Sequence, residues 1–412
     1  MKRQLLVIMT ALASCAGAAD WPQYRGPNHD GSTPERILTV WPKDGPRVLW
    51  RAPLGPSFGA FAVSGSRAFA FIQRPVDGAD REVAVAFDAD TGRELWAVPL
   101  GPPTYDKQGG DGPRSTPTVD GDRVYFLGAH LTLSCLDAAT GKVLWQHDLV
   151  KKFNGRVLRW NSAASPVLDG DRIFVNAGGP GQAFLAFDKR DGRLLWKHGD
   201  DKPTHATPVP ATIHGVRQII FFTQSGLVSL DPEGRELWRY SFPYQTSTAA
   251  SPVVWQDIVY CSAGYGVGAG AVRVQREGAR FRVTELWRHP GRTMSHWSTP
   301  VARDGHLYGL IGFKEFGTGP LKCIELATGA EKWSQAGFGS GGATVLVGEH
   351  VLVQSDRGPL VLVAAQPDGY REVARAQVLG GKCWTMPAIS NGRLYARNTK
   401  EGVCLDVKPG EG

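Results

Sequence analysis

Seven side chains of this 412-residue chain have types that could do chemistry and fall at related positions. They are Arg114, Trp160, His205, His296, Trp297, Lys382 and Trp384. Each lies a few residues upstream of a proline in Ser-Thr-Pro, Ala-Ser-Pro, Ala-Thr-Pro, Thr-Met-Pro or similar stretches, as in "SHWSTP" (295–300). Large aromatics, two histidines and two cations suit binding by ring contact and charge. They form no arrangement of nucleophile, base and orienting acid. The ten histidines show no H-E-x-x-H or paired spacing, so no metal site is expected. "GYGVGAG" (264–270) lacks the Lys and Ser/Thr of a phosphate loop, and it and "KEF" (314–316) read as ordinary hairpin connections.

What places those residues is internal repetition. "AFDADTGRELW" (86–96), "CLDAATGKVLW" (135–145), "AFDKRDGRLLW" (186–196) and "CIELATGAEKW" (323–333) are copies of one pattern, and "SLDPEGRELW" (229–238) is a shorter one. "PRVLW" (46–50) and "VTELW" (283–287) keep only the ending. A second pattern lies upstream in each unit, as in "STPTVDGDRVYF" (115–126), "ASPVLDGDRIFV" (164–175) and "TMPAISNGRLYA" (385–396). Eight units can be counted, two of them degenerate. Each reads as a four-stranded antiparallel meander. Strand A follows the proline, a Asp-Gly or Asn-Gly turn leads into B, and a variable loop leads to C. The Asp-x-x-Thr-Gly turn then leads into D, which ends in Trp.

Four-stranded units at this spacing predict an all-β, eight-bladed β-propeller. The last unit, ending "GVCLDV" (402–407), has no D strand, and "PRVLW" is a D strand without A, B or C. The N-terminal strand is therefore expected to complete the last blade and remove the open edges. Strands A line the axis, so the D-to-A connections gather at one mouth. The seven residues above are expected there, with Phe58 beside them, either binding a ligand or plugging the channel.

The A-x-D-x-x-T-G-x-x-x-W pattern resembles the tryptophan-docking repeat of the quinoprotein alcohol dehydrogenase superfamily, the PQQ-like repeats, and Ala86 to Trp96 matches every position. The resemblance spans about residues 20–408 and implies the eight-bladed fold. The opening "DWPQYRGPNHDG" (20–31) is similar to the leader of the short secreted members. The non-enzymatic BamB-type propeller is similar in length and plainness. The long enzymes of the superfamily hold a quinone between a Trp and a disulfide of adjacent cysteines, with a calcium set of Glu, Asn and Asp. This chain has no adjacent cysteines and no C-x-x-C-H, and its carboxylates cannot be matched to that set.

The N-terminus reads as an export signal: basic "MKR", apolar "LLVIMTALA", then small residues, giving residues 1–19 as a signal peptide. "LASC" also resembles a lipobox, so the alternative is a lipoprotein signal ending before Cys15, which would then carry a lipid anchor. Residues 20–46 form a leader, 47–408 the propeller and 409–412 a tail. No other run reaches the ~20 apolar residues of a membrane-spanning helix. The formal charge of +7 falls to +5 (7 − 2) without Lys2 and Arg3, and the basic residues are scattered, which argues against nucleic acid. Of six cysteines, Cys15 lies in the signal, and Cys135, Cys323 and Cys404 occupy one small buried slot on different blades. They are expected to be packed thiols rather than disulfides.

The expected function is a non-catalytic binding or scaffold propeller of the cell envelope, periplasmic or secreted and monomeric, offering its funnel to an envelope protein or small ligand. No cofactor is expected. One alternative is a PQQ-dependent dehydrogenase of alcohols or sugars, with calcium, stacking the quinone on Trp297 or Trp384 near Arg114 or Lys382. Another is a propeller that binds or cleaves polysaccharide.

Overall fold

The computed structural model describes residues 19–246, 248–291, 295–312, 319–339 and 341–410. The signal segment up to residue 18, Cys15 and "KEF" lie outside the described residues. Among the described residues the strands assort into eight sheets, each an antiparallel meander in the order A-B-C-D. Blade 1, for example, runs Ala62–Ser64, Arg67–Val76, Ala79–Asp88 and Glu94–Gly101. The short helix Leu149–Phe153 between blades 2 and 3 is the one α-helix among the described residues.

The repeat is written in turn chemistry. The Asp88 carboxylate accepts the backbone N–H groups of Asp90 and Thr91 and the Thr91 hydroxyl, and Asp137 does the same with Ala139 and Thr140. The following Gly92 takes a left-handed φ of 70°. It also receives the Trp of the preceding blade. A β-carbon at Gly92 would stand 2.6 Å from the Trp50 ring, and the Trp50 indole N–H donates to the Ala89 carbonyl at 3.0 Å. Trp96 on Gly141, Trp145 on Gly192, Trp196 on Gly234 and Trp287 on Gly329 repeat the arrangement. So the Gly is fixed twice, by its φ and by the ring lying on it. Trp333, whose indole N–H donates to the Gln366 carbonyl, has no such glycine seat, and neither has Trp238. The next blade joins strands Gly268–Glu277 and Arg280–His289 by a tight hairpin, and the Trp238 N–H turns instead to Gln218 Oε1 at 2.6 Å.

The Ser/Thr-Pro pattern is an inter-blade belt. The Ala60 N–H donates to Thr116 Oγ1, Thr116 N–H to Ser165 Oγ, and Ser165 N–H to Thr207 Oγ1, each at 2.9–3.0 Å. On the other side Ser251 N–H donates to Thr299 Oγ1 at 3.0 Å. These hydroxyls satisfy amides that strand A cannot pair within its own blade.

The ring closes as expected. Val48–Pro53 pairs antiparallel with Glu401–Asp406 as the outer strand of blade 8, with Trp50 opposite Cys404. Cys135, Cys323 and Cys404 lie opposite Tyr125, Tyr308 and Tyr395 within their blades. With Cys261 and Cys383 they are buried and free. Burial pushes the thiols up, Cys323 to about 11 and Cys135, Cys383 and Cys404 to about 12, so they pack as small apolar groups.

The leader departs from the expected scheme. Ser32–Thr33 adds a fifth, parallel strand to the inner edge of blade 7, against Leu346 and Val347. The residues before it fill the axis from the A–B turn side. Asp20 holds the A–B turn of blade 1 at Ser64 and Gly65, Trp21 exchanges two backbone bonds with Val63, and Pro22 accepts from Val119. Arg25, 1% exposed, donates to the carbonyls of His29, Asp30, Thr299 and Pro300 at 2.7–3.2 Å. Tyr24 Oη reaches the belt at Thr299 Oγ1, 3.3 Å away. Glu35 then accepts from Asn391 and Gly392 in the A–B turn of blade 8. The chain itself thus occupies much of one mouth.

Candidate functional site

The other mouth is built from D–A and B–C connections. A run of ring contacts follows it round. Phe58 lies 5.8 Å from Trp384, Trp384 4.8 Å from Trp297, and Trp297 4.3 Å from His296 between ring centroids. His296 meets the edge-on Tyr265 at 5.0 Å, Tyr265 stacks parallel to Trp160 at 6.1 Å, and Trp160 reaches His205 at 6.5 Å. The rings come from five D–A connections and one B–C turn. Phe58, Trp160, Trp297 and Trp384 are half-buried and Tyr265 is exposed, whereas His205 and His296 are buried.

Glycines supply the seats. A β-carbon at Gly264 would stand 2.1 Å from His296 Nδ1, and one at Gly341 would stand 2.1 Å from Trp384 Nε1. Both are backbone-to-ring approaches that only Gly allows.

The gap in the arc is bridged by the connection between blades 1 and 2, residues 104–112. Its base is held inside: Thr104 N–H donates to Gln73 Oε1 at 2.7 Å and its hydroxyl to Glu82 Oε1 at 3.0 Å. Glu82, 1% exposed, also accepts the Ala129 N–H, and burial pushes its carboxyl up to about 7. Arg114 holds the loop from within, pairing with Asp106 at 3.0 Å and donating to the carbonyls of Gly110 and Gly112. Lys382 Nζ donates to the Gly109 carbonyl at 2.8 Å while lying 4.3 Å from the Trp384 ring centre. The Trp160 indole N–H donates to Gln108 Oε1 at 2.9 Å.

The structure therefore brings all seven sequence-selected residues to one mouth but divides their work. Trp160, His296, Trp297 and Trp384 form the aromatic arc. His205 sits beneath it, and burial, reinforced by the Arg114 charge, lowers its pKa to about 4, so it is neutral at neutral pH. Arg114 and Lys382 tie the strap to its neighbours. Three contributors escaped the sequence: Tyr265, the strap with Gln108, and Arg159, whose guanidinium lies 4.7 Å over Trp160. B–C turns share this mouth with D–A connections, so the Tyr of "GYGVGAG" carried a usable signal.

Among the described residues no three His, Cys, Asp or Glu side chains converge on a metal-sized site. Two carboxylates at this mouth are committed, Asp106 to Arg114 and Glu82 to Thr104 and Ala129.

These blades, their Trp–Gly docking and the closing strand define an eight-bladed propeller of PQQ-like repeats. The profile of a protein family described as outer membrane protein assembly factor BamB matches residues 79–335, and the chain belongs to that family. No curated protein sequence is significantly similar to it. Among solved structures, BamB from Moraxella catarrhalis superposes with a TM-score of 0.59 at 15% identity, covering 89% of this chain and 98% of that one. Quinohemoprotein alcohol dehydrogenase from Comamonas testosteroni gives 0.66 at 13%, covering 95% and 81%. The computationally designed Ika8 protein gives 0.55 at 13%, covering 87% and 98%. At these identities the likeness is one of fold.

Proposed function

We propose that the protein is a non-catalytic binding propeller of the cell envelope, which takes an envelope protein or small ligand on the aromatic mouth. The observation that carries this is the asymmetry of the axis. One mouth is occupied by residues 20–33 of the chain, and the other presents an arc of touching rings, five of them reaching solvent, braced by a strap. Solvent-facing aromatics held by this much structure are a binding surface rather than a core. The signal-like N-terminus and the family's description as an outer membrane assembly factor support an envelope location. No helix among the described residues is long and apolar enough to cross a membrane.

Capture of envelope components on immobilised protein tests the reading. The Trp297→Ala, Trp384→Ala double variant should recover at most about a tenth of the bound material, since central aromatic anchors each account for roughly 2 kcal/mol or more of binding. Equal recovery would remove the funnel from the function.

The dehydrogenase reading asks for a quinone with a calcium beside it. Lys382 beside Trp384 could meet an anionic ring, but the described residues offer no set of calcium-binding carboxylates, so the pair does not fit and no step is derived through it. Incubation with pyrroloquinoline quinone and calcium should leave no stoichiometric chromophore. A bound chromophore with dye reduction by alcohols would reverse this.

A further inference from the structure

Within the arc, the pair Trp160 and Tyr265 stands apart. Their ring planes differ by 5°, with centroids 6.1 Å apart, although they come from the connection between blades 2 and 3 and from the B–C turn of blade 5. Both backbones are left-handed, with φ of 65° at Trp160 and 59° at Tyr265, and Asn161 shares the value of 65°. A bulky residue there is strained and persists where surroundings over-determine it, typically at ligand clamps. The surroundings are visible. Gln108 fixes the Trp160 indole N–H, and His296 meets the Tyr265 ring edge-on. Tyr265 is nonetheless 43% exposed, so the strain is not serving burial.

Charge accompanies the rings. Arg159 lies over Trp160 at 4.7 Å and its field also acts on the Tyr265 phenol. It belongs to the stretch 149–160, "LVKKFNGRVLRW", which holds four cations and no acid. Lys151 pairs with Asp148 and Lys152 turns to His147, but Arg156 and Arg159 are exposed beside the partly exposed Val157. The subsite is thus a pair of parallel rings with the Arg159 guanidinium lying over one of them, continued through the buried His296 to the half-buried rings of Trp297 and Trp384.

We propose that Trp160, Tyr265 and Arg159 form a subsite for a carboxylate-bearing sugar ring, so that the funnel also takes an acidic polysaccharide. This rests on the reading of the funnel as the binding face. A pyranose offers a flat C–H face to the exposed Tyr265 ring, and the Arg159 guanidinium over the neighbouring Trp160 meets the charge that the sugar carries. Successive aromatic platforms around the mouth match a polymer of such rings, and the cationic stretch raises its local concentration. An acidic polypeptide matches the charge but not the parallel pair of rings.

The test is calorimetric titration of the full-length protein with polygalacturonate, beside amylose as a neutral glycan and polyglutamate as an acidic chain without rings. The expected result is binding of polygalacturonate, weakened about tenfold or more by Trp160→Ala and by Tyr265→Ala, and kept by Tyr265→Phe. Arg159→Gln should weaken it and flatten its dependence on salt, while amylose and polyglutamate bind at least about tenfold more weakly. Melting curves establish that each variant is folded, and the Tyr265→Phe protein carries the argument if an alanine variant is not. Unchanged affinity in Trp160→Ala, or equal affinity for polyglutamate, overturns the subsite. Absence of polygalacturonate binding in a protein that still captures envelope components through Trp297 and Trp384 overturns the subsite alone. Loss of that capture dependence overturns the binding reading itself.

Discussion

The two mouths of the propeller are made of the same strands and solve opposite problems. At the A–B mouth the chain's own residues 20–33 enter the axis and are held there by burial and hydrogen bonds: the Arg25 guanidinium meets four carbonyls and Trp21 is fully buried. At the D–A mouth no comparable segment enters among the described residues. Rings are propped half in solvent on glycine seats, under a strap pinned by Arg114, Lys382 and Gln108. Burial with complete hydrogen bonding is what stability asks for, and exposure with positional restraint is what binding asks for. The belt of Ser and Thr hydroxyls, including Thr116, Ser165, Thr207 and Thr299, lies between the two.

That contrast can be broken most forcefully at the plugged end. Deleting residues 20–52 removes the plug and the outer strand of blade 8, and should leave no folded monomer, by circular dichroism and gel filtration. A truncated protein that melts cooperatively as a monomer would contradict both roles. A finer probe is Arg25→Ala, which takes a donor from four carbonyls, three of them in buried bonds. It should cost about 1–3 kcal/mol in chemical denaturation, the usual range for leaving buried acceptors unpaired, without changing capture by the aromatic mouth below its melting temperature.

Acid–base behaviour separates the ends as well. Glu82, under the strap, has its carboxyl raised from 4.5 to about 7, so the folded state holds a proton that the unfolded state has lost. Its contribution to stability is present below about pH 4.5 and is lost as pH rises to about 7, on the order of 3 kcal/mol. His29, in the plug, runs the other way. Burial lowers it from 6.5 to about 4, so stability is lost as pH falls through that interval. Glu82→Gln should therefore flatten the decline toward neutral pH in urea titrations and leave the acid-side loss from His29 in place. An unchanged profile would mean that Glu82 titrates as an exposed acid.

The smallest expected effect is the most local. Gly341→Ala must move Trp384, whose Nε1 stands 2.1 Å from the β-carbon position, and should cost roughly 1–3 kcal/mol as an overpacked site. Weaker capture should accompany it, because the arc loses its alignment. Capture unaffected by a displaced Trp384 would confine the surface to Trp160, Tyr265 and Trp297.

Much of the fold was legible because each blade repeats its own local chemistry. Asp88–Gly92 and Trp96 announce a turn and a docked ring before any long-range contact is known, and the orphan "PRVLW" announces the closure. The plug was not legible. Residues 20–33 have no repeat, and nothing in "WPQYRGPNHDG" says that Arg25 will reach Thr299, which lies 274 positions away. The site was readable as departures from the repeat at the D–A connections, and Trp297 and Trp384 do meet there. Arg114 and Lys382 were legible as cations near the mouth but not as braces, since their partners are backbone carbonyls, which carry no residue signature. Tyr265 was hidden by a Gly-rich context that reads as a hairpin turn.

The central claim is that the aromatic mouth binds and the plugged mouth only holds. It is tested most directly by capturing envelope components on wild-type protein, the Trp297→Ala, Trp384→Ala variant and Arg25→Ala, all at a temperature where each is folded. Capture should fall about tenfold or more for the tryptophan variant and stay at the wild-type level for Arg25→Ala. Loss of capture in Arg25→Ala with full capture in the tryptophan variant would contradict it.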